Sequence, residues 1–162
     1  MSQVPESCST REELALELSV LRRACPELRI VLANGCFDLL HVGHVRYLTE
    51  ARAHGDYLVV ALNTDASVSA LKGPGRPLMP LEERAEVLAA LGVVDRVTSF
   101  DEATLEATLR ALQPDVHAKG TDYTADNVPE AAVDRELGIE IAICGDPKEH
   151  SSTELIERQE GV

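Results

Sequence analysis

The chain has 162 residues, 44% of them hydrophobic and 27% charged, and its 28 acidic residues against 15 basic ones give a net charge of −13. This length predicts one domain with an ordinary hydrophobic core. The excess of acid argues against a nucleic-acid-binding surface, and no apolar run approaches the ~18 residues of a membrane span. The cysteines form no CxxC pair, which favours reduced thiols in a cytoplasmic protein.

The chain begins with a polar segment that leads into a predicted helix. Thr10 and Glu13 fit a capping box, and leucines recur behind them at helical spacing, so we expect a helix over 11–24. We therefore divide the chain into an N-terminal tail and helix, residues 1–27, and a single domain, residues 28–162.

Beyond this helix, short apolar runs alternate with amphipathic segments. The apolar runs, rich in β-branched residues, predict strands over 28–33, 57–62, 93–99, 115–118 and 139–144. The amphipathic segments predict helices over 44–54, 65–71, 81–91, 102–112 and from about Ser152 onward. This alternation is typical of βαβ units. The predicted fold is therefore α/β, a Rossmann-like three-layer sandwich whose five-stranded parallel sheet carries helices on both faces.

In such a sheet a ligand lies beyond the carboxyl ends of the strands, so the loop after the first strand is a candidate site. This loop reads NGCFDLLHVGH from Asn34 to His44. His41 and His44 stand one helical turn apart, and Gly43 permits close approach of a ligand to the backbone. Imidazoles and free N–H groups at a helix start can donate to phosphate oxygens, and no third metal ligand lies nearby in sequence. The pattern favours a polyphosphate site over a metal site; the alternative is a pair of surface histidines in a turn.

A second candidate region is KGPGRPLMP, from Lys72 to Pro80. Its prolines and glycines predict an irregular loop, and its basic residues, Lys72 and Arg76, give that loop a positive charge.

The segments GCFD and HVGH, residues 35–38 and 41–44, together resemble the HxGH motif of the nucleotidyltransferase superfamily. Further segments follow in the order of that superfamily: Asn63–Ser67, Leu71–Gly73, Arg76–Pro77, Glu83–Arg84, Val94–Asp95, Lys119–Tyr123 and Ser151–Thr153. Over about residues 29–158 the sequence of these motifs is most similar to that of the adenylyltransferase domains of ADP-heptose synthases. The resemblance implies the nucleotidyltransferase fold.

The resemblance also implies a reaction, the transfer of AMP from ATP to a sugar 1-phosphate with release of pyrophosphate. The implied acceptor is D-glycero-D-manno-heptose 1-phosphate and the product ADP-heptose. The implied cofactor is Mg²⁺, held mainly by the triphosphate and without a dedicated protein site. The expected partners are ATP, the sugar phosphate and a second copy in a homodimer, with no nucleic acid and no membrane.

Roles for individual residues follow from positions that match the family motifs. The implied catalytic residues are His41, His44 and Lys72, with His44 on the α-phosphate and Lys72 moving onto the phosphates from its loop. The residues expected to bind the nucleotide and its phosphates are Asn34, Gly35, Cys36, Phe37, Gly43, Arg84, Lys119, Gly120, Asp122, Ser151, Ser152 and Thr153. Those expected to contact the substrate are Asp38, Asp65 and Arg76.

Several of these residues have simpler interpretations. Lys72 fits a solvated loop lysine, Arg84 a surface ion pair on its helix, Asp65 a helix cap, and the Ser151–Thr153 run an N-cap. Cys36 is expected to be a small buried thiol rather than a reactive one.

Two other functions stay open at this point. One is a CTP-dependent cytidylyltransferase acting on glycerol 3-phosphate or a similar polyol phosphate. Many such relatives carry an arginine shortly before the hydroxyl run, where this chain has Lys148–His150. The other is a nucleotide-binding regulatory module without turnover. A dinucleotide dehydrogenase is disfavoured because no GxGxxG opens the first helix. Bifunctional ADP-heptose synthases have a sugar kinase domain ahead of this one, so we expect a separate enzyme to supply the sugar 1-phosphate.

Overall fold

The computed structural model describes residues 7–147 and 152–160, with side chains for 7–147 and 154–159. The strands are β1 (Ile30–Gly35), β2 (Tyr57–Asn63), β3 (Arg96–Phe100), β4 (Val116–Gly120) and β5 (Glu140–Cys144). The helices are α1 (Arg11–Ala24), α2 (Val42–Ala53), α3 (Asp65–Lys72), α4 (Leu81–Ala89), α5 (Glu106–Leu112), α6 (Ala131–Leu137) and α7 (Ser152–Glu160). None of the helices in the described ranges combines the length and hydrophobicity needed to cross a bilayer.

The strands form one five-stranded sheet in the order β3-β2-β1-β4-β5. Every pairing is parallel, and β1 lies at the centre between β2 and β4. The chain builds outward from β1 to β3 and then crosses to the other side of β1 to form β4. This reversal is the topological switch point, where an open α/β sheet offers a crevice for a ligand.

Both faces of the sheet are covered, because successive side chains of a strand point to opposite faces. On one face Ile30 and Leu32 of β1 belong to a buried cluster with residues of α1, α5 and α6. On the other face Val31 and Ala33 belong to a cluster with residues of α2 and α4. Burial on both faces explains why these strands read as continuous apolar runs, and the predicted fold class is confirmed.

Helix α1 packs on this body as part of the first cluster. Its residues Leu14 and Leu18 are fully buried beside α5. The Thr10–Glu13 capping box predicted from the sequence is present with both reciprocal hydrogen bonds.

The structure corrects several element boundaries. Strand β1 continues through Asn34 and Gly35, and α2 begins at Val42 rather than residue 44. Strand β3 starts only at Arg96, because the apolar residues before it close a turn after α4. Helix α5 starts at Glu106 rather than residue 102.

Helix α6 is absent from the sequence-based prediction. It has only seven residues, of which Val133 and Asp134 are buried. Two turns are too short for a hydrophobic period to stand out, and a buried aspartate weakens the pattern further.

Candidate active site

A cavity of about 600 Å³ opens at the carboxyl ends of β1 and β4, beside the N-terminus of α2. Its volume lies in the range of small-molecule sites. The predicted site residues that line it are Asn34, Gly35, Cys36, Phe37, Asp38, His41, Gly43, His44, Lys72, Lys119, Gly120 and Asp122. Folding thus gathers the loop after β1, the end of α3 and the loop after β4 around one space.

The two histidines of the HxGH motif form a stacked pair at the start of α2. His41 is the N-cap residue, and its Nδ1 accepts a hydrogen bond from the Gly43 amide at 3.1 Å. The Nδ1 of His44 accepts from the His41 amide at 3.3 Å, and the ring centroids lie 3.9 Å apart. A backbone N–H can only donate, so each Nδ1 is an acceptor and each neutral ring carries its proton on Nε2. The backbone therefore sets both imidazoles as Nε2–H donors.

Close packing around this pair explains the glycine between the histidines. A Cβ on Gly43 would lie 2.8 Å from Cε1 of the His41 ring. On the other side the Phe37 ring centroid is 5.0 Å from that of His44. Phe37 has φ 46°, a left-handed conformation that costs a non-glycine residue about 1–3 kcal/mol. The surrounding packing maintains this conformation, which places the aromatic ring against His44.

Asp38 anchors the loop that connects α3 and α4. Its buried carboxylate accepts hydrogen bonds from Arg76 Nε at 2.7 Å and from the amides of Leu78 and Met79 at 2.8 and 3.1 Å. Burial by itself would raise the pKa of Asp38, but the hydrogen bonds from Met79, Arg76 and Leu78 outweigh it and lower the pKa. Both carboxylate oxygens are therefore occupied within the protein, and Arg76 is directed at Asp38.

Arg84 forms a second anchor beneath the cavity. Its side chain is fully buried and donates to the carbonyls of Cys36 and Asn63 at 2.7 and 2.9 Å, and to that of Met79 at 3.0 Å. It also pairs with Asp65 at 2.6 Å. The interpretation of Arg84 as a surface ion pair is wrong, because a guanidinium with these partners ties the β1 loop to the end of β2.

Arg76, Arg84 and Asp65 thus lie outside the lining of the cavity. All three form ion pairs within the protein that support the site. The sequence predicted that they contact a ligand, but none of them lines the cavity. Cys36 belongs to the lining of the cavity, and burial raises the pKa of its thiol, as expected of an inert thiol.

Lys119 supplies a positive charge on the side of the cavity opposite Lys72. Its Nζ lies 3.4 Å from Asn34 Oδ1, 3.7 Å from Glu130 Oε2 and 4.6 Å from the centre of the Tyr123 ring. Burial lowers the pKa of Lys119, and the Glu130 carboxylate offsets part of this effect. The lysine is therefore held in one place rather than solvated.

A buried pair behind Lys119 completes this wall. Nδ1 of His117 lies 2.9 Å from Asp134 Oδ2, and its Nε2 lies 3.5 Å from Asn34 Oδ1. Because Lys119 donates to the side-chain oxygen Oδ1 of Asn34, the side-chain NH₂ of Asn34 is the group that can donate to a ligand. Of these residues Glu130 lines the cavity, and the sequence did not point to it because it lies just before α6, which was not predicted; His117 and Asp134 are fully buried and are not part of the lining.

The hydroxyl run falls partly outside the described residues. Ser151 is not described, and α7 begins at Ser152 as expected, but the side chains of Ser152 and Thr153 are not described. Their role in binding pyrophosphate stays a prediction.

The carboxylates around the cavity bear on how Mg²⁺ would be held. Among the carboxylates that line the cavity, Asp38 has both oxygens occupied, Glu130 lies 3.7 Å from Lys119 Nζ, and Asp146 is paired with Arg46 at 2.7 Å. Mg²⁺ usually keeps several waters and binds through substrate phosphates with one or two carboxylates. These residues therefore fit an ion that arrives on a triphosphate.

The parallel sheet, its switch-point cavity and the paired histidines at a helix start are features of α/β proteins that bind nucleotide phosphates. A family model described as cytidylyltransferase-like matches residues 32–158. The chain belongs to this family, and the family prediction from the sequence is confirmed.

Individual relatives carry the likeness further. The chain is 52% identical over 130 residues to the "Bifunctional protein HldE" of Ectopseudomonas mendocina (strain ymp), a match covering 80% of this chain and 28% of the relative. It is 49% identical over 160 residues to the protein of the same name from Pseudomonas syringae pv. syringae (strain B728a), covering 96% of this chain and 34% of the relative. The chain thus spans about a third of the length of these curated relatives.

A solved structure is similar over most of its length. The crystal structure of the lipopolysaccharide core biosynthesis protein from Thermoplasma volcanium GSS1 gives a TM-score of 0.63 at 28% sequence identity. The match covers 75% of this chain and 99% of that one.

Proposed function

We propose that this protein is an adenylyltransferase that transfers AMP from ATP to D-glycero-D-manno-heptose 1-phosphate, giving ADP-heptose and pyrophosphate. The observation that carries the proposal is the pair of stacked imidazoles at the helix start, in which backbone contacts to Nδ1 place the ring proton on Nε2. Lys72 and Lys119 line the same cavity. Neutral donors and ammonium groups together suit a triphosphate next to a second phosphate.

The chemistry needs positioning and charge stabilisation rather than a covalent intermediate. A phosphate oxygen of the acceptor attacks the α-phosphorus in line, forming the new P–O bond as the bond to the pyrophosphate oxygen breaks. Negative charge gathers on the non-bridging oxygens, where His44 and His41 donate hydrogen bonds. Mg²⁺ carried by the triphosphate would neutralise charge on the β- and γ-phosphates and on the departing pyrophosphate.

The choice of the acceptor rests on the similarity to known proteins and on the residues that make up the motifs. Relatives named bifunctional HldE match most of this chain, and the similar solved structure is titled a lipopolysaccharide core biosynthesis protein. Both support a heptose-containing product. We place the reaction in the cytoplasm, where ATP is available and free thiols such as those of Cys8 and Cys144 persist.

We also propose that the protein acts as a homodimer. The outer side of α1 supports this assignment, because Leu16 and Val20, one turn apart, are 66% and 51% exposed. Sedimentation of the wild type beside the L16E variant tests it: a dimer that L16E leaves intact would remove α1 from the interface.

The decisive experiment is a substrate panel in which pyrophosphate release is measured with ATP or CTP against heptose 1-phosphate or glycerol 3-phosphate. We expect turnover with ATP and heptose 1-phosphate. Selective turnover of CTP with glycerol 3-phosphate would instead identify the cytidylyltransferase alternative. No release with any pair would refute both.

A variant series then ties turnover to the histidine pair. His44→Ala should reduce turnover by roughly 10²–10³-fold, the effect of losing one donor to a transition-state oxyanion. Thr49→Ala, exposed on the same helix, is the matched control and should retain activity. Near-normal turnover of His44→Ala would contradict the assigned role.

A further inference from the structure

At the edge of the cavity, the C-terminal half of α2 meets the end of β5 at a cluster of three different metal-ligand types, one of which, Cys144, also lines the cavity. Glu50 lies on α2, His54 is the C-cap residue of that helix four positions later, and Cys144 is the last residue of β5. A carboxylate oxygen, an imidazole nitrogen and the thiol sulfur of these residues all lie within 4.8 Å of one another. Helical i,i+4 spacing accounts for two of the three ligands, and strand-to-helix packing brings in the third.

The backbone holds this cluster together. Glu50 Oε2 accepts a hydrogen bond from the Gly145 amide at 2.6 Å, which keeps the carboxylate beside the preceding residue, Cys144. Gly145 itself packs closely on α2, since a Cβ there would lie 3.3 Å from Cβ of Tyr47. Among the side chains described, no lysine or arginine forms an ion pair with Glu50.

The donor set selects the kind of ion. Thiolate sulfur, imidazole nitrogen and carboxylate oxygen are the ligands of Zn²⁺, whereas Mg²⁺ prefers oxygen alone. Zinc bonds of about 2.0–2.3 Å in a tetrahedron separate ligand atoms by ~3.5 Å. Since the ligand atoms lie within 4.8 Å of one another, each pair has to close by at most about 1.3 Å, which rotation of the exposed Glu50 and the half-buried His54 side chains covers. Water would take the fourth position.

A divalent ion bound here would take Cys144 as the thiolate, so that binding releases the thiol proton, and the ion would neutralise the Glu50 carboxylate beside it.

We propose that Glu50, His54 and Cys144 form a site for a zinc-type divalent cation, separate from the Mg²⁺ that accompanies ATP. Such an ion would join α2, whose N-terminus carries the histidine pair, to the segment from Gly145 to Pro147, which lines the cavity. The site is thereby a clamp between two walls of the active site. The inference does not depend on which substrates the enzyme uses.

The test uses Co²⁺ as a spectroscopic probe on the full chain, with Zn²⁺ as competitor. A Co²⁺–thiolate bond gives a charge-transfer absorption in the near ultraviolet, and we expect one equivalent to produce it in the wild type. Cys144→Ser should abolish the band, and His54→Gln should weaken binding at least tenfold. Cys25→Ser, which removes an exposed thiol elsewhere, is the matched control and should retain the band.

Thermal unfolding followed by circular dichroism separates loss of the site from loss of the fold. Zn²⁺ should raise the Tm of the wild type and of Cys25→Ser, and leave that of Cys144→Ser unchanged. The proposal is overturned by a wild type without the thiolate band. An equal rise in Tm in Cys144→Ser, or unchanged affinity in His54→Gln, would overturn it as well. Because no measurement uses turnover, a failure here is distinct from failure of the proposed adenylyltransferase.

Discussion

Asp38 holds the loop between α3 and α4 through three hydrogen bonds, so removing its charge should loosen that loop. In Asp38→Asn, one side-chain oxygen can still accept from the amides of Leu78 and Met79, but an NH₂ group then faces Arg76. The variant loses a charge-assisted hydrogen bond and weakens two others, and such bonds to a charged group contribute ~1.5–3 kcal/mol each. We therefore expect the loop to be destabilised by about 2–3 kcal/mol relative to the body of the protein.

Amide hydrogen exchange measures this effect directly. A change of about 2–3 kcal/mol corresponds to roughly 30- to 150-fold faster exchange at Leu78 and Met79. Amides of β1, such as that of Leu32, serve as the internal control and should change far less. Turnover should also fall, because the same loop begins at Lys72, which must be held over the phosphates. Unchanged exchange at Leu78 and Met79 would refute the reasoning.

The difference in free energy of unfolding between the wild type and Asp38→Asn should depend on pH. The pKa of Asp38 is lowered in the folded protein, so its stabilising contribution is complete above its unfolded value of about 3.9. That contribution is lost as the pH falls through the folded value. The difference in free energy of unfolding between the wild type and Asp38→Asn should therefore shrink in acid. A difference that grows on acidification would contradict the assignment.

Three further predictions concern the cavity. Gly43→Ala should lower turnover at least tenfold and reduce the free energy of unfolding by ~1–3 kcal/mol, because the new Cβ displaces the His41 ring. Gly92→Ala, with open space around the new Cβ, is the control in thermal unfolding and turnover assays. Lys72→Ala should reduce kcat more than it raises KM for ATP in steady-state kinetics, and an unchanged kcat would make the lysine a solvated loop residue. Burial lowers the pKa of Lys119, so as the pH rises this lysine should lose its charge below the ordinary lysine pKa of about 10.5, and the KM for ATP should then increase. Lys119→Arg, whose guanidinium stays charged, should abolish this increase in a KM–pH profile.

Much of the fold could be predicted because local patterns and tertiary environment agree. The apolar runs that became β1 and β2 are continuous since both faces of the sheet are covered. The capping box at Thr10 is a purely local interaction and was predicted correctly. Helix α6 escaped prediction, because two turns with a buried aspartate present no hydrophobic period.

The candidate site divides in the same way. The histidine pair was predictable, since residues one turn apart at a helix start share a side whatever the surrounding fold. Arg84 was not, because a motif shows which residue is present but not whether burial leaves it free to meet a ligand. Asp38 likewise read as a substrate contact, although its partners lie about forty positions away in the loop it anchors.

The sequence by itself determined the order of the strands and of the helices other than α6, the parallel sheet and the histidine motif, because these depend on periodicity and on spacing within one turn. Only the tertiary structure decided which charged side chains face the cavity and which are paired with other groups of the protein around it. The free energy of a charged group depends on burial and on partners distant in the chain, and neither is encoded in local spacing.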